Sequence, residues 1–365
     1  MYVCVSYTWG PPAPMKEIRI NGATFKVRQN LYDLLLQLYD MQIDENVYFW
    51  IDQISIDQNN VLERNSQVKI MDQIFCNAAQ VVVWLGPSAD GSDRAMKVLE
   101  SRRRLQLYLD GSGNRDEKRA FRALFRRPYW GRLWVVQELM LSRRLLLLCG
   151  SIMVPWVAVE TYFMVPRTLT TTDKRLRFDP DNNHGGVRGL ILARASFDGG
   201  FDRLSYVLTM FSGSRCEDQR DKVYGLLSLV PKHLRIEIDY WKSLKDIYLD
   251  AMRAIIKCEW YLDIRSLTDL AMSISGKVEL GFERHKMEAW ILRTSRLFRE
   301  SETLEAVSVD RGHLRRIASD SNFHFAAGNL LRRTQNAAVQ QHEHLISHRR
   351  SLDSLIFRYQ QLNDL

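Results

Sequence analysis

The sequence predicts an α/β fold in which a parallel sheet has helices on both faces and a mostly helical C-terminal region follows. Two observations in the first half of the chain support this prediction. Short apolar runs alternate with segments of helical periodicity, in the order β-α-β-α-β. The runs are continuously apolar rather than alternating, as expected of strands that are buried on both faces.

The first predicted elements are a strand, a hairpin and a helix. The apolar run Val3–Tyr7 ends in a Trp-Gly-Pro-Pro turn. Residues 18–27 contain Asn21-Gly22, the dipeptide typical of a two-residue hairpin loop. Leucines between Leu31 and Leu38 follow at helical spacing, so we expect an amphipathic helix with Asn30 as its N-cap.

Three further apolar runs predict the rest of the sheet. Val47–Ile56 predicts a second core strand, and after a helix over 68–78 the run Val81–Leu85 predicts a fully buried strand. Leu145–Cys149 predicts a fourth strand. The apolar character continues to residue 165, but Gly and Pro residues break it, so we expect a strand, a turn and a helix opened by Pro155 rather than a membrane span.

The remaining segments differ in composition. Residues 88–128 are charged and carry Gly111 and Gly113, which predicts a loop-rich region, and a Trp-rich helix is expected at 129–142. Hydrophobic spacing predicts helices over 204–258. The predicted domains are an α/β domain at 1–165, a loop or linker at 166–203, a helical extension at 204–300, and a polar, basic helical tail at 301–365.

Composition excludes several protein classes. The chain has 365 residues, of which 46% are hydrophobic and 26% charged, as in ordinary globular proteins and unlike disordered or collagen-like chains. The net charge of +8 is too diffuse to predict a nucleic-acid partner. Five scattered cysteines without a CxxC pair predict neither a disulfide framework nor a zinc knuckle. Without a signal peptide, the expectation is a reduced, cytoplasmic protein that is not membrane-bound.

Motifs for common cofactors are absent from the sequence. There is no Walker loop, GxSxG elbow or HExxH. His342, His344 and His348 have a metal-like spacing, but they lack acidic or cysteine partners, so we expect a solvated helix face and no metal or resident cofactor. Short arginine runs, including Arg126-Arg127, are expected to be solvated faces, with one or two as candidates for contacting a phosphate.

A first polar cluster follows the predicted second strand. Asp52, Asp57 and Gln58 lie towards its C-terminal end, where open α/β sheets bind ligands. The alternative is that these side chains cap loop amides.

A second cluster combines aromatic and acidic side chains. Trp130, Trp134 and Glu138 are spaced by four residues, which predicts that they share one helix face. An aromatic, partly dry setting raises the pKa of a carboxyl group and suits stacking of a flat heterocycle. The alternative is a helix packed by its tryptophans, with Glu138 at the rim bonded to an arginine such as Arg132.

Taken together, these segments resemble the heterokaryon incompatibility (HET) domain of filamentous fungi. The matching segments are residues 5–10 (Val-Ser-Tyr-Thr-Trp-Gly), the Asn30-Leu31 helix start, 50–58 (Trp-Ile-Asp-Gln-Ile-Ser-Ile-Asp-Gln), Glu63-Arg64 with Gln67, 83–86 (Val-Trp-Leu-Gly) and 134–138 (Trp-Val-Val-Gln-Glu). Residues 220–227 and Asp239-Tyr240 are similar to the extension that these proteins often carry. The chain departs from the family at 55–58, where the family commonly has Cys-Ile-Asn-Gln.

The HET family is in turn distantly similar to TIR domains, flavodoxin-like modules of which some hydrolyse NAD. This resemblance implies that Glu138 is the catalytic carboxylate, with a tryptophan four residues before it, and that NAD is a candidate substrate. No metal is required, because nicotinamide is a good leaving group. The substrate-binding residues that it implies are Ser6, Tyr7, Trp9, Gly10, Trp50, Asp52, Asp57, Gln58, Arg64, Arg132 and Trp134. Among them, Trp9 or Trp134 would stack the ring, and Arg64 or Arg132 would hold the pyrophosphate.

Three hypotheses follow from the resemblance. The first is a cell-death effector of fungal non-self recognition that cleaves NAD after self-association. The second is a non-enzymatic module that binds a second copy or other HET or NLR-type incompatibility proteins, in which Glu138→Ala would be tolerated. The third is a HET-like scaffold adapted to small-molecule biosynthesis, with a pocket whose ligand is not a nucleotide.

Overall fold

The fold is an α/β sheet with helices on both faces, followed by a helical region. The computed structural model describes residues 2–43, 46–164, 186–259, 262–277 and 280–313. Contacts divide the chain into a unit Met1–Ser295 and a unit Arg296–Leu365. Of the second unit, the structure describes only the helical residues 296–313. His342, His344 and His348 lie outside the described residues.

The main sheet has five strands in the order β4-β1-β5-β6-β7. The seven strands of the chain are β1 (Tyr2–Tyr7), β2 (Met15–Ile20), β3 (Ala23–Arg28), β4 (Tyr48–Trp50), β5 (Gln80–Trp84), β6 (Leu145–Cys149) and β7 (Ile152–Pro155). β1 pairs in parallel with β4 and β5, and β5 with β6, while β7 is antiparallel to β6. The first four strands follow the order 2-1-3-4 of flavodoxin-like folds.

Alternate side chains of β1 explain why both faces of the sheet are covered. Val3 and Val5 belong to the apolar cluster formed with Leu31 and Leu34 of the first helix. On the other face, the Cys4 thiol donates to the Ile74 carbonyl at 3.8 Å, and the Ser6 hydroxyl donates to the Glu138 carboxylate. The predicted α/β class with a covered parallel sheet is confirmed.

The helices before residue 165 are α1 (Gln29–Asp40), α2 (Asp52–Ser55), α3 (Val61–Asn77), α4 (Ser92–Glu100), α5 (Arg102–Leu107), α6 (Arg115–Leu124), α7 (Trp134–Leu141) and α8 (Trp156–Met164). The prediction of a loop-rich region at 88–128 is wrong, because α4 to α6 lie there. Charged residues alternate with apolar ones at helical spacing, and Met96, Phe121 and Leu124 are buried. Pro155 ends β7, a strand that the sequence did not predict, and α8 begins one residue later.

The second predicted strand is shorter than expected. β4 ends at Trp50, and α2 occupies Asp52–Ser55. The Ser55 hydroxyl accepts from the Ile51 N–H at 3.2 Å, and the Asp52 carboxylate accepts from the Gln53 N–H at 2.7 Å. These local side-chain bonds give the backbone an alternative to strand pairing, which is why the apolar run does not continue as a strand.

The predicted hairpin is confirmed and forms a separate two-stranded sheet. β2 and β3 are antiparallel, and their pairing runs from Met15 opposite Arg28 to Ile20 opposite Ala23. Asn21 has φ of 50° and Gly22 has φ of 82°, the left-handed conformations that a two-residue hairpin loop requires.

The later helices are α9 (Gly186–Ala195), α10 (Leu204–Phe211), α11 (Asp221–Tyr224), α12 (Leu244–Cys258), α13 (Ile264–Lys277) and α14 (Arg284–His313). The helical prediction for 204–258 is confirmed, with Ile247, Tyr248 and Ala251 buried on one face of α12. The prediction is wrong for the stretch between α11 and α12, because α11 ends at Tyr224 and only two short 3₁₀ turns follow before Leu244. The domain limits given above stay predictions.

Candidate functional site

The C-terminal ends of the parallel strands open onto a cavity of about 910 Å³. Residues 8–11 follow β1 and residues 85–87 follow β5, and both loops line the cavity. The chain runs from β1 to β4 on one side and then returns to β5 on the other side of β1. Ligands of open α/β sheets bind where the strand order reverses in this way, so the cavity is the candidate ligand site.

Asn30 connects the loop after β1 to the last residue of β5. Its amide nitrogen donates to the Thr8 carbonyl at 2.5 Å, and its amide oxygen accepts from the Trp84 indole at 3.1 Å. The prediction of Asn30 as an N-cap is wrong, because α1 begins at Gln29 and Arg28 occupies the N-cap position. Both ends of the Asn30 amide therefore stabilise the cavity wall.

Asp52 joins Trp9 and Arg132, and all three residues line the cavity. The Trp9 indole donates to Asp52 Oδ2 at 2.8 Å, and Arg132 Nη2 lies 3.4 Å from the same oxygen. Arg132 also donates to the Tyr7 carbonyl and lies 3.4 Å from Glu138 Oε1. Burial opposes the charge of Arg132, but Glu138 and Asp52 outweigh it and raise the pKa of the guanidinium.

Glu138 lies beneath the cavity wall. It is 2% exposed and does not line the cavity, whereas its partner Arg132 does. The Ser6 hydroxyl donates to Glu138 Oε2, and the Tyr129 hydroxyl lies 2.6 Å from that of Ser6. Burial raises the pKa of Glu138 to about 7, although Arg132 and Ser6 act to lower it. A carboxyl with this pKa changes its charge near neutral pH.

The opposite wall of the cavity contains an ion-pair cluster from beyond the sheet. Arg64 of α3 donates to Asp218 at 2.8 Å, and its guanidinium lies 3.6 Å from the centre of the Tyr240 ring. Arg220 also pairs with Asp218, at 2.8 Å. Burial opposes ionisation of Asp218, but hydrogen bonds from Arg220 and Arg64 outweigh it and lower the pKa to about 2.

Asp221 is the buried carboxylate of the same wall. The Tyr240 hydroxyl donates to Oδ1 at 2.5 Å and the Trp134 indole to Oδ2 at 2.9 Å. Burial raises the pKa of Asp221 to about 6, against the effect of these two donors. Asp221 thus connects the start of α7 to the C-terminal region.

The predicted Trp-rich helix is interrupted, which corrects the arrangement of the second cluster. α7 begins only at Trp134, after a 3₁₀ turn. In between, the Arg215 N–H donates to the Gly131 carbonyl at 2.6 Å and the Leu133 N–H to the Arg215 carbonyl at 2.8 Å. Trp130 therefore shares no helix face with Trp134, and its indole is bonded to a backbone carbonyl instead.

Residues outside the sheet hold both ends of α7. At its first turn, Trp134 is bonded to Asp221. At its last turn, the Arg194 guanidinium donates to the carbonyls of Leu139, Met140 and Ser142. The carbonyls at a helix C-terminus have no partner within the helix, so the half-buried Arg194 guanidinium fills that role. The helix that carries Glu138 is therefore positioned by residues 194–221.

The predicted site residues fall into two groups. Seven line the cavity: Trp9, Gly10, Asp52, Gln58, Arg64, Arg132 and Trp134. Five do not: Ser6, Tyr7, Trp50, Asp57 and Glu138. Tyr7 is in the apolar core, and Trp50 packs edge-on against Phe75 at 5.6 Å between ring centres. Asp57 accepts from the Asn59 N–H at 3.0 Å, as the loop-capping alternative expects.

Several cavity residues were not predicted for the site, namely Arg127, Arg215, Asp218, Asp221 and Tyr240. Two features noted in the sequence include some of these residues. Arg127 belongs to a noted arginine pair, and the last two belong to segments similar to the family extension. Nothing in the local sequence indicates that these segments reach the ends of β1 and β5.

Two absences hold for the part of the chain that the structure describes. There, no group of three or more His, Cys, Asp or Glu side chains could hold a metal ion. Within the same ranges, no helix has the length and apolar character needed to cross a membrane.

Comparisons with known proteins agree with the motifs. Residues 2–138 match the family model "Heterokaryon incompatibility protein (HET)". A curated relative from Neurospora crassa, "Heterokaryon incompatibility protein 6, OR allele", is 27% identical over 332 residues, covering 71% of this chain and 48% of the relative. The chain thus spans about half the length of that relative. No solved structure matches the chain significantly. Residues 2–138 of the chain are thus similar to the HET family, and the match extends from β1 to Glu138 of α7.

Proposed function

We propose that the chain is a heterokaryon incompatibility protein of fungal non-self recognition whose α/β domain binds NAD and cleaves it to nicotinamide and ADP-ribose. One observation carries the proposal. A cavity at the reversal of strand order is lined by tryptophans and arginines, and one of these arginines, Arg132, lies 3.4 Å from the buried Glu138 carboxyl, whose pKa is about 7. The name of the Neurospora crassa relative supports the incompatibility role.

The proposed reaction breaks the bond between the nicotinamide nitrogen and the ribose carbon. The electron pair of that bond leaves with nicotinamide, and the ribose becomes oxocarbenium-like. Water adds to this carbon and releases a proton, which yields ADP-ribose. A carboxylate close to the ribose stabilises the positive charge that develops, which is the role proposed for Glu138.

Arg132 must move before Glu138 can reach a ligand. It lies between the Glu138 carboxylate and the cavity, and it is held by Asp52, by the Tyr7 carbonyl and by Glu138 itself. A ligand that competes for the Arg132 guanidinium would open this path. Self-association is a second means of triggering such a rearrangement, and we expect activity to depend on it.

The test is NAD loss and nicotinamide release in cells that express wild type or Glu138→Gln at matched folded levels. Glutamine keeps the volume of the side chain and an acceptor for Ser6 but removes the carboxylate. The proposal expects NAD depletion by wild type and none by the variant. Equal depletion by both proteins would remove Glu138 from the chemistry.

A second candidate function is a non-enzymatic recognition module that binds a second copy or another incompatibility protein. The observation that favours it is the burial of Glu138, whose carboxylate is already bonded to Ser6 and Arg132. In the same experiment, wild type that kills cells while NAD stays constant supports this function and excludes NAD cleavage.

A further inference from the structure

Arg127 lines the cavity and donates only to uncharged groups of the described structure. Its Nη1 donates to the Leu85 carbonyl at 2.7 Å, and Nη2 lies 3.1 Å from the Ser92 hydroxyl and 3.4 Å from the Ala89 carbonyl. These contacts fix the guanidinium beside the loop that follows β5. They leave its positive charge without a carboxylate among the residues that the structure describes.

Arg215 approaches the same part of the cavity from the C-terminal region. Its guanidinium donates to the Pro128 carbonyl at 3.4 Å, one residue after Arg127. A Cβ atom on Gly131 would lie 2.8 Å from Arg215 Nη2, so the guanidinium occupies the space that this glycine leaves. Arg215 also has no carboxylate partner within the described ranges.

The other two arginines of the cavity are already neutralised. Arg64 pairs with Asp218 and Arg132 with Asp52 and Glu138. Among the lining carboxylates, Glu217 pairs with Arg28, outside the cavity lining. Asp90 is the lining carboxylate of the described chain that has no ion pair, and it is exposed. The unpaired charges of the cavity are therefore two positive and one negative.

We infer that Arg127 and Arg215 bind the phosphate groups of the ligand and that this ligand is a pyrophosphate or phosphate ester. The inference rests on the proposed function, since it names the phosphate-binding residues of the same cavity. It replaces the expectation that Arg64 or Arg132 holds the pyrophosphate. The guanidinium groups of Arg127 and Arg215 lie beside the same short turn, and no carboxylate of the described residues occupies their N–H groups. Such N–H groups can donate to the oxygens of a phosphate.

The test is calorimetric titration of the full chain with ADP-ribose and, separately, with inorganic pyrophosphate. Arg215→Gln removes the charge of an exposed side chain, so the fold is retained. We expect it to weaken both probes by about tenfold or more. Arg126→Gln is the matched control, because Arg126 is exposed and does not line the cavity. Its affinities should stay within about twofold of wild type.

Two further variants test the position and the sign of the charges. Gly131→Ala keeps every charge but places its Cβ where the Arg215 guanidinium lies, so it should weaken both probes as Arg215→Gln does. Asp90→Asn removes the unpaired negative charge and should tighten both. Unchanged affinity in Arg215→Gln and Gly131→Ala would overturn the inference.

The two probes separate this inference from the proposed function. If pyrophosphate binds in an Arg215-dependent manner and ADP-ribose does not bind, the phosphate site stands and NAD cleavage fails. If ADP-ribose binds equally to wild type and Arg215→Gln, the nucleotide cavity stands and the assignment of Arg127 and Arg215 is wrong. If wild type binds neither probe, both are wrong.

Discussion

Trp134 donates its indole N–H to Asp221 Oδ2 at 2.9 Å, which joins the first turn of α7 to a residue 87 positions later in the chain. Asp221 is buried, and its other oxygen accepts from the Tyr240 hydroxyl. The segment that resembles the family extension is therefore part of the cavity wall. It also sets the position of the helix that carries Glu138.

Trp134→Phe is expected to lower the free energy of unfolding by about 1–3 kcal/mol, because a buried carboxylate oxygen loses its donor. Urea unfolding measures the change. The matched control is Trp241→Phe, since Trp241 is 71% exposed. Its effect should stay within about 0.5 kcal/mol. Equal effects of the two substitutions would show that the Trp134 hydrogen bond contributes nothing to stability.

Glu138 should make the protein less stable as the pH rises from about 4.5 to about 7. Its folded pKa of about 7 lies above the ordinary value of 4.5, so the folded state holds the proton more tightly than the unfolded state. The resulting stabilisation is complete at low pH and is lost as the pH passes the folded pKa, with a size on the order of 3 kcal/mol.

Glu138→Gln removes this dependence, and unfolding free energies at pH 5, 6 and 7.5 measure it. Asp221, with a pKa of about 6, produces a similar loss that ends at lower pH. Because the variant keeps Asp221, it should lack only the Glu138 part of the loss, and its unfolding free energy should fall less steeply than that of wild type between about pH 5 and 7. Glu100→Gln, at an exposed position, is the control and should follow wild type. A variant with the same slope as wild type would contradict the raised pKa.

Gly150→Ala should destabilise the fold by about 1–3 kcal/mol. Gly150 has φ of +55°, and a Cβ there would lie 3.0 Å from Ser88 Cβ and 3.2 Å from its backbone nitrogen. Gly189→Ala provides the comparison, because Gly189 lies in α9 with open space around it, and alanine there is neutral or stabilising by up to about 1 kcal/mol. Thermal unfolding of both variants measures the difference in stability between them. Equal stability of the two variants would show that Ser88 moves away from the added Cβ without cost.

Arg194→Met should lower the free energy of unfolding by about 2–4 kcal/mol, since it removes the donor for three carbonyls at the end of α7. Arg188→Met in the same helix is the control, at an exposed position. Chemical denaturation should show a clear loss only for the first variant. A small effect of Arg194→Met would mean that water replaces the guanidinium at these carbonyls.

The elements that the sequence predicts best are those with a local cause. β1, β5 and β6 are continuous apolar runs, and the β2–β3 hairpin follows from Asn21-Gly22. The sequence does not predict the helices within 88–128, because their many charged residues suggest loops. Their buried residues nevertheless recur at helical spacing. Apolar periodicity was the better guide there than composition.

The errors at the site have a non-local cause. The Trp-rich helix is broken by backbone pairing with Arg215, which no pattern near Trp130 indicates. The sequence placed Asp52, Arg132 and Trp134 in the site, and these do line the cavity. Among the described residues, Arg64 and Arg132 have carboxylate partners whereas Arg127 and Arg215 have none, and such partners become visible only once the chain is folded.

Residues 2–138 match the family model, but residues that follow them complete the cavity wall, and this limits how the domain can be transferred to another protein. The family match ends at Glu138, inside α7 and before β6. A fragment cut there would leave the apolar β5 as an unpaired edge strand, which favours aggregation. The shortest fragment that keeps every residue of the cavity wall therefore extends from β1 through Tyr240.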